Sequence, residues 1–280
     1  MASDDLMDEL VRALRVAPAG PERFVAHCPD WWGPRLFGGM VMAQALSAAI
    51  QSVDGPLLPH SLHGYFLRPV VPGVEAELLV EPVRDSRSFA TRQVTTIQGG
   101  LPAARMTCSF HVEEEGAESY QLPMDSAMDS PDSLPLGSPP GPFESVHLDP
   151  VPGADGTYSS SGRFWNRVSS ALPDDPDLHV GALALMSDMT RASFRPATMD
   201  KWGSHTDASI DHAVWFHRPA RADQWLFYDL AAVVNTGNRA TVRGTMYSAE
   251  GVLVLSMAQE LLIRPVPGGG AIAPWLADKF

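Results

Sequence analysis

Two segments of the chain are apolar on nearly every side and have the length of a helix. The first covers residues 37–50 and the second covers residues 179–192, and both are rich in Ala, Gly, Leu and Met. A helix without a broad polar face must be surrounded by protein. The hydrophobic pattern therefore predicts two buried helices, one in each half of the chain.

Each predicted helix is followed by segments in which apolar and polar residues alternate. The clearest alternation covers residues 88–97, 103–112, 240–247 and 252–263, with a glycine-containing turn between the members of each pair. Alternation with a period of two, bounded by glycine, indicates antiparallel hairpins. A curved antiparallel sheet around each buried helix accounts for both patterns. The predicted fold class is therefore α+β: a double hot dog of two repeats, each with a central helix wrapped by an antiparallel β-sheet.

The elements follow the same order in both halves, and a segment of different composition separates them. Arg-Pro pairs at 68–69 and 218–219 end corresponding strand-like segments, 150 positions apart. Residues 113–154 are instead rich in Pro, Ser and Asp and show no clear periodicity. We interpret the chain as an N-terminal repeat (1–112), a linker with short helical turns (113–154) and a C-terminal repeat (155–280). The alternative is a long surface loop inside one domain, although structureless loops of that length are uncommon.

Composition and charge narrow the range of partners. The 280 residues include 33 acidic and 20 basic side chains, a formal charge of −13, with no cluster of Lys and Arg. These features argue against a nucleic-acid partner. The uncharged stretch at 36–53 contains Gly, Gln and Ser, which favours a buried helix over a membrane span.

Cysteines and short motifs point away from secretion and from bound cofactors. Cys28 and Cys108 are too few for a disulfide framework, and the acidic start of the chain is unlike a secretory signal. We therefore expect a cytoplasmic protein. The sequence contains no Cys/His spacing typical of a metal site, no dinucleotide fingerprint and no Gly-x-Ser-x-Gly elbow, so we expect neither a metal nor a cofactor.

Five segments of the chain, taken together, carry a family resemblance. They are 36–46 (LFGGMVMAQAL), 60–69 (HSLHGYFLRP), 84–92 (RDSRSFATR), 209–219 (SIDHAVWFHRP) and 258–260 (AQE). These segments resemble the type II acyl-CoA thioesterase family of double hot-dog proteins, in both halves and in order. The resemblance implies hydrolysis of an acyl-CoA thioester by a water molecule held between a helix Asp, a Ser or Thr and a Gln, without a covalent intermediate.

Carried over residue by residue, the resemblance makes Asp188 the helix carboxylate, Ser209 the hydroxyl and Gln259 the amide. Some family members have Thr in place of Ser209. Asp188 is also the only acid between residues 180 and 190, and a carboxylate on a buried helix needs hydrogen-bond partners. Structural roles are the alternatives: a cap or a pair with Arg191 for Asp188, a strand hydroxyl for Ser209 and a polar strand-face residue for Gln259.

Further residues complete the predicted site. Gly38 and Gly39 open the first helix, and we expect their backbone amides to bind the substrate as oxyanion donors, the alternative being that they only ease helix packing. Asp211 is expected to support Ser209, because alternate residues of a strand share a face. We interpret His212, on the opposite face, as structural.

Three functions remain open at this stage. An acyl-CoA thioesterase is favoured. The spacing of Asp207 and His212 also occurs in hot-dog hydratases, which makes an enoyl-CoA hydratase or related lyase the second candidate. A catalytically silent acyl-CoA-binding protein is the third. Acyl-CoA is the expected small-molecule partner, and the exposed edges of such sheets predict a homo-oligomer.

The duplicated fold is expected to hold a single active site. Aligning the halves through their glycines and Arg-Pro pairs sets Leu46 opposite Asp188, Pro59 opposite Ser209 and Cys108 opposite Gln259. None of these three first-half residues has the hydrogen-bonding capacity of its counterpart. We therefore predict that the first repeat supplies walls and oxyanion amides but no base.

Overall fold

The computed structural model describes residues 3–30, 33–116, 118–125, 129–136, 141–148, 161–190 and 205–265. Within these ranges the helices are α1 (Ser3–Leu14), α2 (Gly38–Gln51) and α3 (Pro176–Ser187). The strands are β1 (Ala17–Gly20), β2 (Arg23–Ala26), β3 (Leu57–Phe66), β4 (Ala76–Asp85), β5 (Phe89–Gln98), β6 (Leu101–Val112), β7 (Phe143–His147), β8 (Ser161–Val168), β9 (His205–Phe216), β10 (Leu226–Thr236), β11 (Arg239–Ser248) and β12 (Leu253–Pro265).

The strands form one continuous antiparallel sheet with the two apolar helices packed against it. The strand order is β1-β2-β4-β5-β6-β3-β9-β12-β11-β10-β8-β7, and the pairing of β3 with β9 joins the halves. Helix α2 precedes β3 to β6, and α3 precedes β9 to β12 in the same order. The two helices contact each other, and most of their residues are buried in the main core. The predicted double hot dog is therefore confirmed.

Local sequence explains where the two buried helices begin. Helix α3 begins at Pro176, and the side chain of Asp175 caps it by accepting a hydrogen bond from the Asp177 N–H (3.2 Å). Helix α2 has no such side-chain cap, because Phe37, which precedes it, has no side-chain hydrogen-bond acceptor. The first N–H groups of α2 are therefore left for another partner.

Two of the hairpin turns consist of residues with positive φ. Gly99 and Gly100 join β5 to β6 with φ values of +59° and +77°, which is the backbone of a two-residue turn with left-handed residues. Gly237 and Asn238 join β10 to β11 in the same way, with φ values of +58° and +60°. The first of these turns was predicted from the sequence.

Strands β3 and β9 each contain a bulge at the same place. Pairing with the neighbouring strand skips His60 in β3 and Ile210 in β9. A bulge adds one residue to a strand, so the side chains before and after it change their alternation between the two faces of the sheet. In β9 this shift decides which polar residues meet α3.

The chain also forms elements that the hydrophobic pattern did not predict. Helix α1 contacts both α2 and α3, and β1 and β2 extend the sheet beyond β4. Within the predicted linker, β7 pairs with β8, whereas the 3₁₀ turn at residues 131–133 agrees with the short helical turns expected there. Gln121 binds the backbone of the β11–β12 turn, donating to the Gly251 carbonyl (2.7 Å) and accepting from the Leu253 N–H (3.2 Å).

Among the described helices, none combines the length and apolar character needed to cross a membrane.

Candidate active site

Asp188 lies at the end of α3 and is buried. It is the C-cap residue of the helix and only 4 % exposed. The hydroxyl of Tyr228, on β10, donates a hydrogen bond to the carbonyl oxygen of Met186 (3.2 Å) and holds the last turn of α3 in place. The carboxylate is therefore presented from a fixed helix end towards β9 and β12.

The three residues predicted from the sequence are in direct contact. Gln259 Nε2 donates hydrogen bonds to Asp188 Oδ1 and to Ser209 Oγ, the second at 2.8 Å. Ser209 Oγ donates to Asp188 Oδ1 at 3.4 Å. Because Asp188 and Gln259 are both buried, protein donors rather than bulk water stabilise the carboxylate. A proton acceptor, a hydroxyl and an amide are thus in mutual contact, and the half-buried Ser209 lies on the side nearer to solvent than the other two.

Thr190 fixes the orientation of the amide. Its Oγ1 donates a hydrogen bond to Gln259 Oε1, and Thr190 is 1 % exposed. An ionised carboxylate accepts hydrogen bonds and donates none. The amide nitrogen of Gln259 must therefore face Asp188, and the amide oxygen must face Thr190. Sequence reasoning missed Thr190, although a hydroxyl two residues after the only acid of an apolar segment was a visible signal.

Different contacts require glycine at the two positions that begin α2. A Cβ at Gly39 would lie 2.2 Å from the carbonyl oxygen of Leu185, so this glycine permits the close contact of α2 with α3. A Cβ at Gly38 would lie 2.7 Å from Asp188 Oδ2. Gly38 therefore lets the carboxylate approach the helix, whereas Gly39 serves packing, which was the alternative reading of both.

The N-terminus of α2 lies beside the Asp188 carboxylate. The N–H of Met40 makes the first backbone bond of the helix, to the carbonyl oxygen of Phe37 (3.0 Å), so the N–H groups of Gly38 and Gly39 precede the helical bonding. A helix N-terminus carries a partial positive charge. The site thus combines a carboxylate with a region of positive potential.

Asp211 does not support Ser209, contrary to the sequence prediction. Its Oδ1 accepts a hydrogen bond from the backbone N–H of Glu260 (2.8 Å), away from the carboxylate. The bulge at Ile210 shifts the alternation, and His212 shares the inner face with Ser209. The expectation assumed an unbroken strand, which is why it was wrong.

His212 lies directly behind Asp188. Its Nε2 is 3.1 Å from Ser187 Oγ, and its Nδ1 is 3.7 Å from Asp188 Oδ1. Burial lowers the pKa of His212 to about 3, so the ring is neutral near neutral pH. The imidazole therefore faces the carboxylate as a neutral group with a single N–H.

Two residues that the sequence-based alternatives depend on lie outside the described part of the structure. They are Arg191, the suggested partner of Asp188, and the side chain of Asp207, which belongs to the hydratase spacing. Among the residues that the structure does describe, no group of three or more His, Cys, Asp or Glu side chains is arranged to hold a metal ion.

Both halves of the chain match families of known proteins. Residues 28–111 match the family described as acyl-CoA thioesterase N-terminal domain. Residues 121–263 match the family described as acyl-CoA thioesterase C-terminal domain. The two matches together cover most of the chain.

Individual relatives match over nearly their full length. Human acyl-coenzyme A thioesterase 8 is 29 % identical, over 94 % of this chain and 91 % of its own. Acyl-CoA thioesterase 2 of Haemophilus influenzae is 28 % identical, over 93 % of this chain and 98 % of its own. The crystal structure of an acyl-CoA thioesterase II from Mycobacterium marinum superposes with a TM-score of 0.79 at 34 % identity, covering 94 % of this chain and 99 % of that one.

Proposed function

Because the chain belongs to the acyl-CoA thioesterase family, we propose that it hydrolyses acyl-CoA to a free fatty acid and CoA, using water activated by Asp188, Ser209 and Gln259. The observation that carries the assignment of residues is the hydrogen-bonded cluster of these three side chains beside the N-terminus of α2. Neither a nucleophilic side chain nor a cofactor is needed for this reaction.

The two oxygens of the Asp188 carboxylate have different surroundings. Oδ1 of Asp188 accepts hydrogen bonds from Gln259 and Ser209, while Oδ2 lies beside Gly38. We assign Oδ2 as the atom that accepts the proton of water. Ser209 and Gln259 hold the water and the carboxylate in register, and such positioning supplies a large part of the barrier reduction.

The reaction proceeds without a covalent bond between the enzyme and the acyl group. Water transfers a proton to Asp188 while its oxygen forms a bond to the thioester carbonyl carbon. The negative charge that develops on the carbonyl oxygen is stabilised by the N–H groups of Gly38 and Gly39 and by the α2 N-terminus. The tetrahedral intermediate collapses with cleavage of the carbon–sulfur bond, and Asp188 returns the proton to the CoA thiolate.

A panel of acyl-CoA substrates tests this proposal directly. The purified protein is incubated with thioesters from acetyl-CoA to long-chain acyl-CoA, and released CoA is detected with a thiol reagent. Thiol release with at least one chain length supports the proposal. Hydration of an enoyl-CoA without thiol release would favour the hydratase, and binding without turnover of any chain length would favour a silent acyl-CoA-binding protein.

The cysteines support the expected compartment. Both Cys28 and Cys108 are free and buried, and burial raises their pKa values to about 11 and about 12. Unreactive free thiols agree with a reducing environment, so we place the protein in the cytoplasm. Cell fractionation with a specific antibody would test this location.

The edge of the sheet supports self-association. Within the described part of the sheet β1 is an edge strand, all four of its residues are exposed, and such an edge is able to accept another strand. We therefore propose a homo-oligomer, to be tested by light scattering coupled to size-exclusion chromatography. The repeat boundaries at 112/113 and 154/155 also stay predictions.

A further inference from the structure

His212 has an environment that a purely structural histidine would not require. The ring is 1 % exposed, and its two nitrogens face two consecutive residues at the end of α3, Ser187 and Asp188. Nδ1 has no hydrogen-bond partner among the described residues, and the nearest carboxylate oxygen, Asp188 Oδ1, is 3.7 Å away. Buried polar atoms without a hydrogen bond are uncommon in folded proteins, so the position of Nδ1 beside the reacting carboxylate needs an explanation.

The neutral ring can carry its proton on either nitrogen, and the surroundings decide which. With the proton on Nε2, the ring donates to Ser187 Oγ and turns a bare Nδ1 lone pair towards the Asp188 carboxylate. With the proton on Nδ1, the N–H points at Asp188 Oδ1 and Ser187 donates to Nε2. In the second arrangement Ser187 no longer donates to the Ala184 carbonyl (2.7 Å), so one neutral hydrogen bond is lost. The His212 Nδ1–H instead donates to the charged Asp188 carboxylate, and a hydrogen bond to a charged group is stronger.

We infer that His212 is a positioning residue, which directs its Nδ1–H at Asp188 Oδ1 and so fixes the carboxylate in the orientation that the proposed reaction needs. Oδ1 then receives three donors, from His212, Ser209 and Gln259, and these hold the carboxylate in one orientation. The separation of 3.7 Å must shorten for a hydrogen bond, and catalytic hydrogen bonds often tighten once substrate is bound. His212 keeps its own proton throughout, because the proton of water passes to Asp188 and then to the thiolate.

The other half of the sheet shows that the fold itself does not need a histidine here. His212 of β9 pairs with Gln259 of β12, and at the matching place Leu62 of β3 pairs with Cys108 of β6. Leu62 is fully buried. A leucine thus fills the corresponding position in the first half, so the sheet itself does not require a polar ring here.

The tautomer is measured on the wild-type protein. Nitrogen NMR of ¹⁵N-histidine-labelled protein distinguishes a protonated ring nitrogen from a bare one, and the His212 signals are assigned by their loss in His212→Gln. We expect the proton on Nδ1 at neutral pH. A proton on Nε2 would overturn the inference, whatever the variants do.

Two substitutions separate the hydrogen bond from packing. His212→Asn places an amide N–H close to the Nδ1 position, whereas His212→Gln places it close to the Nε2 position. We expect His212→Gln to lower kcat by about 10- to 100-fold with little change in KM, the loss expected for one hydrogen bond to a charged group. His212→Asn should retain more of the rate. A packing role predicts the reverse order, because Gln is closer to His in size, and either that order or equal rates would overturn the inference.

This inference rests on the proposed function, and one further variant keeps their failures apart. If Asp188→Asn abolishes turnover while His212→Gln keeps the wild-type kcat, the role of His212 is wrong and the proposed function stands. If Asp188→Asn keeps the wild-type kcat, the proposed mechanism itself is wrong. Near-ultraviolet circular dichroism and thermal melting confirm that each variant is folded, and the tautomer measurement does not depend on any variant's activity.

Discussion

The same point in the two halves of the sheet is built from opposite kinds of side chain. His212 of β9 pairs with Gln259 of β12 in the second half, and Leu62 of β3 pairs with Cys108 of β6 in the first. All four residues are buried, and each pair lies next to a bulge. The same backbone pairing therefore carries a polar pair in one half and an apolar pair in the other, so the polar site depends on the side chains and not on the fold alone.

A buried arginine occupies the first half at a position that is apolar in the second. Arg92 of β5 pairs with Cys108, and Val242 of β11 pairs with Gln259. The Arg92 guanidinium donates to the hydroxyl and to the carbonyl oxygen of Ser52, both at 3.1 Å. Ser52 is the C-cap of α2. In the first half a guanidinium thus fixes the helix end, in a region that the second half uses for its carboxylate.

The helix caps correct one part of the sequence alignment. Asp188 caps α3, whereas Leu46 lies well inside α2, so the expected opposition of these two residues is wrong. The helices differ in length, 14 and 12 residues, and an alignment through glycines does not detect that difference. The residue at the matching end is Ser52, which is not a general base at neutral pH. The prediction that the first repeat lacks a base is unaffected.

The largest expected difference between the halves is catalytic. Asp188→Asn should lower kcat by about 100- to 10,000-fold, because the amide cannot accept the proton of water as a general base does. Thiol release from the best acyl-CoA substrate measures the rate. Ser52→Ala is the matched control at the end of α2 and should keep kcat. Retention of more than about a tenth of the wild-type rate in Asp188→Asn would show that Asp188 is structural.

The second difference concerns stability. Arg92→Met should lower the free energy of unfolding by about 2 to 4 kcal/mol, because the backbone carbonyls that the buried guanidinium serves lose their donor. These are the carbonyls of Ser52, Arg84 and Thr91. Urea unfolding measures the change, with Arg105→Met on the exposed face of β6 as control. Equal effects of the two substitutions would show that Arg92 contributes no more than a surface arginine.

Acid should destabilise the second half through His212. Its pKa is lowered by burial from 6.5 to about 3, so the unfolded chain binds one proton more than the folded chain between these values. The free energy of unfolding should therefore rise with pH in this window, by about 1.4 kcal/mol per pH unit for this group, and fall as the pH drops.

Replacement of the histidine isolates this contribution. In His212→Gln the pH-dependent term is absent, so urea unfolding between pH 7 and pH 4 should show a shallower dependence than in the wild type. His63→Gln, on the exposed side of β3, should change the dependence much less. Identical pH profiles for the wild type and His212→Gln would mean that the ring also titrates normally when folded.

The sequence predicted those features that depend on local pattern. Buried helices, alternating strands and the Gly99-Gly100 turn follow from hydrophobicity and from the backbone freedom of glycine, and the structure confirms them. Asp188 was recognisable because a lone acid in an apolar segment needs partners. The contact of Asp188 with Ser209 and Gln259 rested on the family resemblance, since residues so distant in sequence have no local signal.

The parts that sequence reasoning missed depend on non-local geometry. The bulge at Ile210 exchanges the faces of β9, so that His212 rather than Asp211 meets α3, and no residue type marks that bulge. Thr190 gains its role only from the position of Gln259 on a distant strand. Helix α1 is an exception, because its buried residues Met7, Leu10 and Leu14 recur at helical spacing, which is a local signal that the sequence reasoning overlooked.

A smaller loss of rate is expected when the amide is released. Thr190→Val removes the donor to Gln259 Oε1 and keeps the shape of the side chain, so the amide is free to rotate away from Asp188. We expect kcat to fall by about tenfold, the equivalent of one neutral hydrogen bond. Thr107→Val, on an exposed position of β6, is the control and should keep the rate. An unchanged kcat in Thr190→Val would show that Asp188 and Ser209 alone orient Gln259.

The smallest expected effect concerns the number of acyl-CoA molecules that each chain binds. The register places Pro59 of β3 opposite Phe110 of β6, as it places Ser209 of β9 opposite Leu261 of β12, so the first half has a proline where the second has the hydroxyl. Proline offers neither a side-chain nor a backbone donor. Calorimetric titration with a non-hydrolysable acyl-CoA analogue should therefore give a stoichiometry near one per chain. Ser209→Phe should weaken binding by filling the space beside the carboxylate, and Pro59→Phe at the matching position should not. A stoichiometry of two, with residual turnover that disappears only when first-half residues are also changed, would mean that the first repeat has a working site of its own.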